Sequence, residues 1–298
     1  MTEASVLREQ LQWEVDGADW PHRQASRFVA AAGIRWHVQC IGTGPVVLLV
    51  HGTGAGTFSW RAVAPLLAER FTVVMPDLPG HAFTEPLNST PPTLEHMSAA
   101  LGQLLHALGA KPTIAVGHSA GAAIVTRMAL DGLIAPQAVV SINGALLPLD
   151  GLARLIFLPA AKLLAHSSLI PNLAAWRAAD PAALGRLLRS TGSAIDASGS
   201  ELYRRVVGTR AHVRGVLQMM AHWDVGSIQR DIARLLMPMV LVVGGNDLTV
   251  NPREAHRVQG LLPSARIVTL YRLGHLAHEE APQLIAAMID ELAGTNRC

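Results

Sequence analysis

The chain predicts an α/β protein built on a mostly parallel, doubly wound sheet, with an antiparallel edge near the N-terminus and an inserted helical lid. Three observations predict it. From Pro45 to Asn143, short apolar runs alternate with helix-length stretches, as in successive strand–helix units. Two more apolar runs, residues 239–243 and 266–271, follow near the C-terminus. Between them, from about Ala145 to Asp231, the pattern is helical throughout and is divided by Pro148, Pro159, Pro171, Pro181, Gly192 and Gly199.

The elements follow in order. Residues 1–24 read as a polar, irregular arm. Residues 26–31 and 34–41, joined near Gly33, alternate as an antiparallel edge pair. Val46-Val47-Leu48-Leu49-Val50 is continuous enough to be a strand buried on both faces. Residues 71–74 form the next strand and run into Asp77-Leu78-Pro79-Gly80-His81, where Asp77 is expected to fix the loop. Leu94, Met97, Leu101, Leu104, Leu105 and Leu108 share one face of a helix that Gly109 stops. Thr113-Ile114-Ala115-Val116 and Ala138-Val139-Val140-Ser141-Ile142 are further buried strands. These elements predict a core of residues 1–144 and 232–298, with residues 145–231 as the lid. Leu152, Leu155, Ile156, Leu158, Leu163 and Leu164 make that lid markedly apolar.

The chemistry concentrates at Gly117-His118-Ser119-Ala120-Gly121, between a strand and a helix. A serine there must turn so sharply that its neighbours crowd its own backbone, so small residues flank it. It also stands at the positive end of the next helix. Asp247 ends the run Met239–Val243, and His275 sits on the loop after residues 266–271. The order Ser119, Asp247, His275 suits a nucleophile, an orienting acid and a base. Adjacent residues on a sharp turn point apart, so His118 reads as part of the elbow, not as the base. His278 reads as a solvated or supporting group. Asn143, at the end of its strand, is the nearest substitute for Asp247 and is not acidic. The backbone amides of Thr53, in His51-Gly52-Thr53-Gly54, and of Ala120 are candidate oxyanion donors. The glycines of that loop match neither a P-loop nor a dinucleotide fingerprint.

With 298 residues, half of them hydrophobic and 15% charged, the chain has material for a large core. A net charge of +2 without a basic run argues against nucleic acid as a partner. Cys40 and Cys298 form no metal spacing or disulfide framework, and Met1 is followed by no basic start and apolar stretch; a cytoplasmic setting is expected. The longest apolar region, residues 138–165, is too interrupted to span a bilayer, so no transmembrane segment is expected. The lid is the part that could contact a membrane. His166, His212, His222, Trp176 and Trp223 lie in it without helical metal spacing, so no metal site is assigned. Arg186, Arg189, Arg204, Arg205, Arg210 and Arg214 read mainly as solvated helix faces, with substrate carboxylates as the alternative.

These motifs resemble the α/β-hydrolase superfamily over almost the whole chain. A narrower resemblance is to magnesium-chelatase accessory proteins of bacteriochlorophyll biosynthesis. It is carried by Trp20-Pro21-His22-Arg23, Arg35-Trp36-His37-Val38-Gln39, residues 128–136, Asn143-Gly144-Ala145-Leu146 and Gly274-His275-Leu276-Ala277-His278-Glu279-Glu280. The resemblance implies a small-molecule substrate that is, or lies near, a magnesium-porphyrin precursor, transient contact with magnesium chelatase, and no cofactor of the protein's own. Ala82 departs from the pattern, where glycine is expected after Gly80-His81. The reading is a serine esterase. Its alternatives are a non-catalytic porphyrin carrier or chaperone, and carbon–carbon bond hydrolysis or perhydrolysis at the same triad.

Overall fold

The computed structural model describes residues 8–148, 177 and 180–294. Its strands are β1 (Ser26–Ala31), β2 (Ile34–Ile41), β3 (Val46–Val50), β4 (Thr72–Pro76), β5 (Pro112–His118), β6 (Ala138–Ile142), β7 (Met239–Gly244) and β8 (Arg266–Leu270). They form one sheet in the order β1-β2-β4-β3-β5-β6-β7-β8. Strand β2 is antiparallel to both β1 and β4, and the remaining pairs are parallel. All parallel strands therefore end on the same rim, where Ser119, Asn143 and the loop bearing Asp247 follow β5, β6 and β7.

Helices α1 (Trp13–Asp16), α2 (Ala64–Ala68), α3 (Leu94–Leu108) and α4 (Ala120–Leu130) lie in the first half. The sheet is buried on both faces. Leu101, Leu104, Ile124 and Val125 pack on one face with Leu48 and Ala115, and Leu67, Ile285 and Ile289 pack on the other with Val47, Val116 and Val140. Helix α3 has the ends the sequence calls for: Thr93 accepts the His96 amide at 3.2 Å, and Gly109 closes it at φ 63°.

Between β6 and β7 the described residues contain only helices: α5 (Pro181–Arg189), α6 (Ala197–Val207), α7 (Arg210–His222) and α8 (Gly226–Asp231). The apolar residues Leu152 to Leu164 named above, with His166 and Trp176, lie outside the described residues. After β7 come α9 (Glu254–Leu261), α10 (Ala277–Glu280) and α11 (Pro282–Gly294).

The N-terminal arm departs from expectation. It is a packed strap: Trp20 is buried and its indole donates to Thr57 Oγ1 at 3.0 Å, while Trp13 packs against Phe28, His37 and Phe83. It also reaches the inserted helices. The Ala211 amide donates to Glu9 O at 2.8 Å, and Arg205 pairs with Asp19. Two isolated tryptophans in a polar segment leave no periodicity to read, so burial here comes from tertiary contacts.

Asp77 fixes its loop, accepting the Thr57 amide at 2.6 Å, the Phe83 amide at 3.3 Å and His37 Nδ1 at 2.6 Å. Ala82, in the same loop, has φ 42°, a left-handed conformation that explains why glycine is expected there. Ala82→Gly should therefore raise stability by up to about 1 kcal/mol, the αL penalty relieved minus the added chain entropy. Urea unfolding checks this; a lower midpoint would mean that the Ala82 methyl stabilises the loop.

Candidate active site

The elbow has the geometry that its small residues imply. Ser119 stands at φ 52°, ψ −118°, half-exposed between buried His118 and Ala120. Its amide donates to Ile142 O at 3.0 Å, and its carbonyl accepts from Ala122 and Ala145, each at 3.1 Å. A Cβ on Gly117 would run into the Ala122 backbone, and one on Gly121 into Val50 and His51 carbonyls. Those contacts, not flexibility, demand glycine. A Cβ on Gly52 would stand 2.9 Å from Ser119 Cβ, so the end of β3 is seated against the elbow and carries Thr53 to it.

The Thr53 amide donates to no group among the described residues. Ala120 opens α4, ahead of the first intrahelical bond, so its amide is one of the helix's free donors. The peptide plane before Thr53 is fixed from the other side: Gly52 O accepts His51 Nδ1 at 2.8 Å and the Ala55 amide at 3.2 Å. A trans peptide then directs the Thr53 N–H the opposite way.

Asp247 and His275 are brought together. His275 Nδ1 donates to Asp247 Oδ2 at 2.8 Å, with both side chains almost fully buried. The other carboxylate oxygen, Oδ1, accepts the Thr249 and Val250 amides at 2.7 and 2.9 Å. Three donors thus orient the carboxylate, and the tautomer it favours leaves His275 Nε2 as the acceptor. No hydrogen bond joins Ser119 Oγ to His275 Nε2 among the described residues. Such contacts are often loose without substrate.

His118 and Asn143 take roles that sequence reasoning missed. His118 Nε2 donates to His275 O at 2.9 Å. Asn143 Nδ2 donates to Gly274 O at 2.9 Å and to His275 O at 2.8 Å, and its Oδ1 accepts the Gly244 amide at 2.6 Å. Asn143 stands at φ 46°, a conformation that Asn tolerates better than most residues. An Asn closing a buried strand is the signal that could have suggested such a brace.

Of the two readings of His278, the solvated one is corrected: it is fully buried, its ring tilted against those of Trp60 and His118 at centroid distances of 4.5 and 4.4 Å. Burial first, then the neighbouring His275 and Arg61, push it down to about 3. Burial, with His278 and His275 beside it, also holds His118 well below the usual imidazole range. Both rings stay neutral, so a proton on His275 faces no charged imidazole behind it.

The inserted helices clasp the same loops. Thr191 O accepts the amides of both His275 and Leu248 at 3.2 Å, and Ser193 Oγ accepts the Leu276 amide at 2.8 Å. Glu280 accepts the Gly274 amide at 2.7 Å and the Ala194 amide at 3.0 Å. Of the arginines weighed above, Arg204 pairs with Glu201, Arg205 with Asp19, and Arg210 and Arg214 with Glu9. Arg186 and Arg189 are exposed and form no ion pair among the described residues. A cavity of about 20 Å³ beside Asp247, lined by Ser141, Asn143, Val250 and Glu254, has room for one water. A groove of about 500 Å³ lies elsewhere, between β1 and α3. Neither is lined by Ser119. Among the described residues no group of three or more His, Cys, Asp or Glu could hold a metal ion, and no helix is long and apolar enough to cross a membrane.

The model of the alpha/beta hydrolase family matches residues 47–288, which span every strand from β3 to β8 and all three positions Ser119, Asp247 and His275. The chain belongs to that family. Within it, the chain is 37% identical over 276 residues to the magnesium-chelatase 30 kDa subunit of Rhodobacter capsulatus, covering 91% of this chain and 95% of the relative. It is 26% identical over 279 residues to haloalkane dehalogenase 2 of Mycobacterium tuberculosis, covering 90% and 95%. Among solved structures, an alpha/beta hydrolase fold protein from Burkholderia ambifaria superposes with a TM-score of 0.76 at 23% identity, over 90% of this chain and 97% of that one. The epoxide hydrolase CorEH superposes with a TM-score of 0.76 at 21% identity, over 91% and 99%. These structural likenesses support the fold.

The neutral interior imidazoles make this alpha/beta hydrolase acid-sensitive. His278 near 3 and His212 near 4 both lie below the unfolded value of 6.5. The unfolded chain therefore binds more protons between these values, and stability rises with pH. The contribution is fully present above about pH 6.5 and is lost as pH falls towards 4 and 3, each group contributing up to about 1.4 kcal/mol per pH unit. Urea midpoints measured from pH 7 to 4 should fall accordingly, and His278→Phe should flatten the slope by about one proton. An unchanged slope would mean that His278 is not kept neutral by its site.

Proposed function

We propose that the protein is a serine carboxylic ester hydrolase. The single observation that carries this reading is the buried Asp247–His275 hydrogen bond, tied through the His118 ring to the turn that holds a strained, half-exposed Ser119. In the reaction, Ser119 Oγ attacks the ester carbonyl while His275 Nε2 takes its proton. Asp247 holds the ring through Nδ1 and stabilises the imidazolium. The Thr53 and Ala120 amides receive the oxyanion, each worth about 2.7–4 kcal/mol in the transition state. His275 then returns the proton to the leaving alkoxide, and a water activated by the same nitrogen releases the acid.

The substrate we propose is an ester of a magnesium-porphyrin precursor, held under residues 145–231 acting as a lid over the core of residues 1–144 and 232–298. Two things support it: the 37% identity to a protein named as a magnesium-chelatase subunit, and the exposed guanidinium groups of Arg186 and Arg189, which form no ion pair among the described residues and suit tetrapyrrole carboxylates. The setting is cytoplasmic, with the lid as the part that meets a membrane and with transient contact to magnesium chelatase. The same relative's name favours a second reading, a porphyrin carrier that assists chelation without turnover.

Ser119→Ala should abolish nearly all hydrolysis of a short aryl ester with the fold unchanged by circular dichroism. Asp247→Asn should lower kcat by roughly 10⁴-fold, through loss of the orienting charge. Retention of most of the wild-type rate in Ser119→Ala would remove Ser119 as nucleophile, and a loss below about tenfold in Asp247→Asn would leave Asp247 a loop-shaping role.

Tetrapyrrole quenching of tryptophan fluorescence, measured for the wild type and Ser119→Ala, and chromatography of porphyrin ester products separate the two readings. Binding by both with turnover only in the wild type is the expected result. Binding by both without turnover supports the carrier, and no binding overturns the pigment assignment.

A further inference from the structure

Helix α7 rests on the candidate oxyanion loop through one face. His212, Gly215 and Met219 lie three and four residues apart, the spacing of a single helical stripe. Gly215 packs backbone to backbone on Gly80, where any Cβ would collide with the Gly80 carbonyl. The Thr53 hydroxyl reaches Met219 Sδ at 3.7 Å. His212, 2% exposed, uses both ring nitrogens: the Ala82 amide donates to Nδ1 at 3.0 Å, and Nε2 donates to Gly54 O at 3.3 Å.

These two bonds meet needs that the core leaves open. Among the described residues, His212 is the only acceptor for the Ala82 amide and the only donor to Gly54 O. Ala82 stands at φ 42°, a strained conformation that persists only where its surroundings hold it, and Gly54 at φ 81° has the backbone freedom of glycine, so its turn is fixed by partners and not by its own sterics. The Thr53 amide lies between Gly52 O, held by His51 and Ala55 from the core, and Gly54 O, held by His212 from the insertion. Without His212 the Gly54 carbonyl loses its one donor among the described residues, and the loop keeps the bonds at Gly52 O on one side, the Thr57 amide on Asp77 on the other, and the long Thr53 Oγ1–Met219 Sδ contact between them.

We propose that His212 is a positioning residue for the oxyanion-binding amide of Thr53, so that the hole is completed by the inserted helices and not by the core alone. This rests on the serine-hydrolase reading for its kinetic consequence. The ring acts as a neutral spacer with one acceptor and one donor. Burial keeps it so, pushing His212 down to about 4. A primary amide has the same pair of functions, whereas a phenyl ring has neither.

His212→Phe should lower kcat for an aryl ester by about 10- to 100-fold, as expected for a displaced oxyanion donor, while KM changes by less than about threefold. His212→Gln should recover most of kcat. Val213→Ala, a buried change on the same helix that leaves both His212 bonds in place, should leave kcat within about twofold. Hydrogen exchange of peptides containing residues 53–55 and 80–84 should quicken in His212→Phe and not in Val213→Ala. Should His212→Phe not fold, His212→Ala replaces it in the same comparison. Wild-type kcat in His212→Phe, or equal losses in His212→Phe and Val213→Ala, would overturn the proposal. If the wild type hydrolyses no ester, the hydrolase reading fails, and exchange alone decides: unchanged protection in the loop then overturns the positioning role as well.

Discussion

The carbonyl of His275 is the junction on which the rest of the site depends. His118, at the end of β5, and Asn143, following β6, both donate to it, while the Oδ1 of Asn143 takes an amide from the end of β7. Three neighbouring parallel strands thereby hold one peptide of a loop that follows β8. Ser119 and His275 belong to segments more than 150 residues apart, and no direct hydrogen bond joins them among the described residues. Their relation is set instead by the buried side chains of His118 and Asn143, which hold the main chain at residue 275. His118 matters doubly, since its backbone leads into Ser119 while its ring holds the peptide of His275.

The interior around this junction is rich in imidazole. Among the described residues, which hold twelve histidines, seven are buried: His37, His51, His81, His118, His212, His275 and His278. Most of these rings make defined bonds. His51 Nε2 accepts the Leu78 amide at 2.9 Å, and His37 bridges Asp77 and Ser26 Oγ. A neutral imidazole combines one donor and one acceptor in a rigid, largely apolar ring, which suits a crowded interior where loop backbones need partners of both kinds.

What the sequence made legible was local and repetitive. The buried strands read as continuous apolar runs, α3 carried its stripe and both end signals, and the elbow declared itself through glycines whose steric need is visible in the contacts. Ser119, Asp247 and His275 could be picked out because strand ends are easy to find. The arm, the braces and His278 were not legible, for a common reason: their partners lie far along the chain. Trp20 meets Thr57, Asn143 meets residues 274 and 275, and Trp60 meets His278. Ala82 is the intermediate case. The resemblance marked the position as unusual, and the positive φ explains why, but only the fold reveals that His212 receives its amide.

Thr191 has a different kind of consequence. One carbonyl from the inserted segment serves the amide after Asp247 and the amide of His275, and next to it a side chain on Gly192 would run into the Asn246 carbonyl, while one on Gly274 would run into the Gly192 backbone. Chain order assigns residues 190–194 to the insertion, whereas their bonds assign them to the rim that carries Asp247 and His275. For the evolution of new specificity this divides the insertion unequally. Segments without such ties can be exchanged between relatives as cassettes, but the Thr191–Ala194 turn must be inherited together with the loops it closes, and a chimera that cuts through it would separate two halves of one hydrogen-bonded unit.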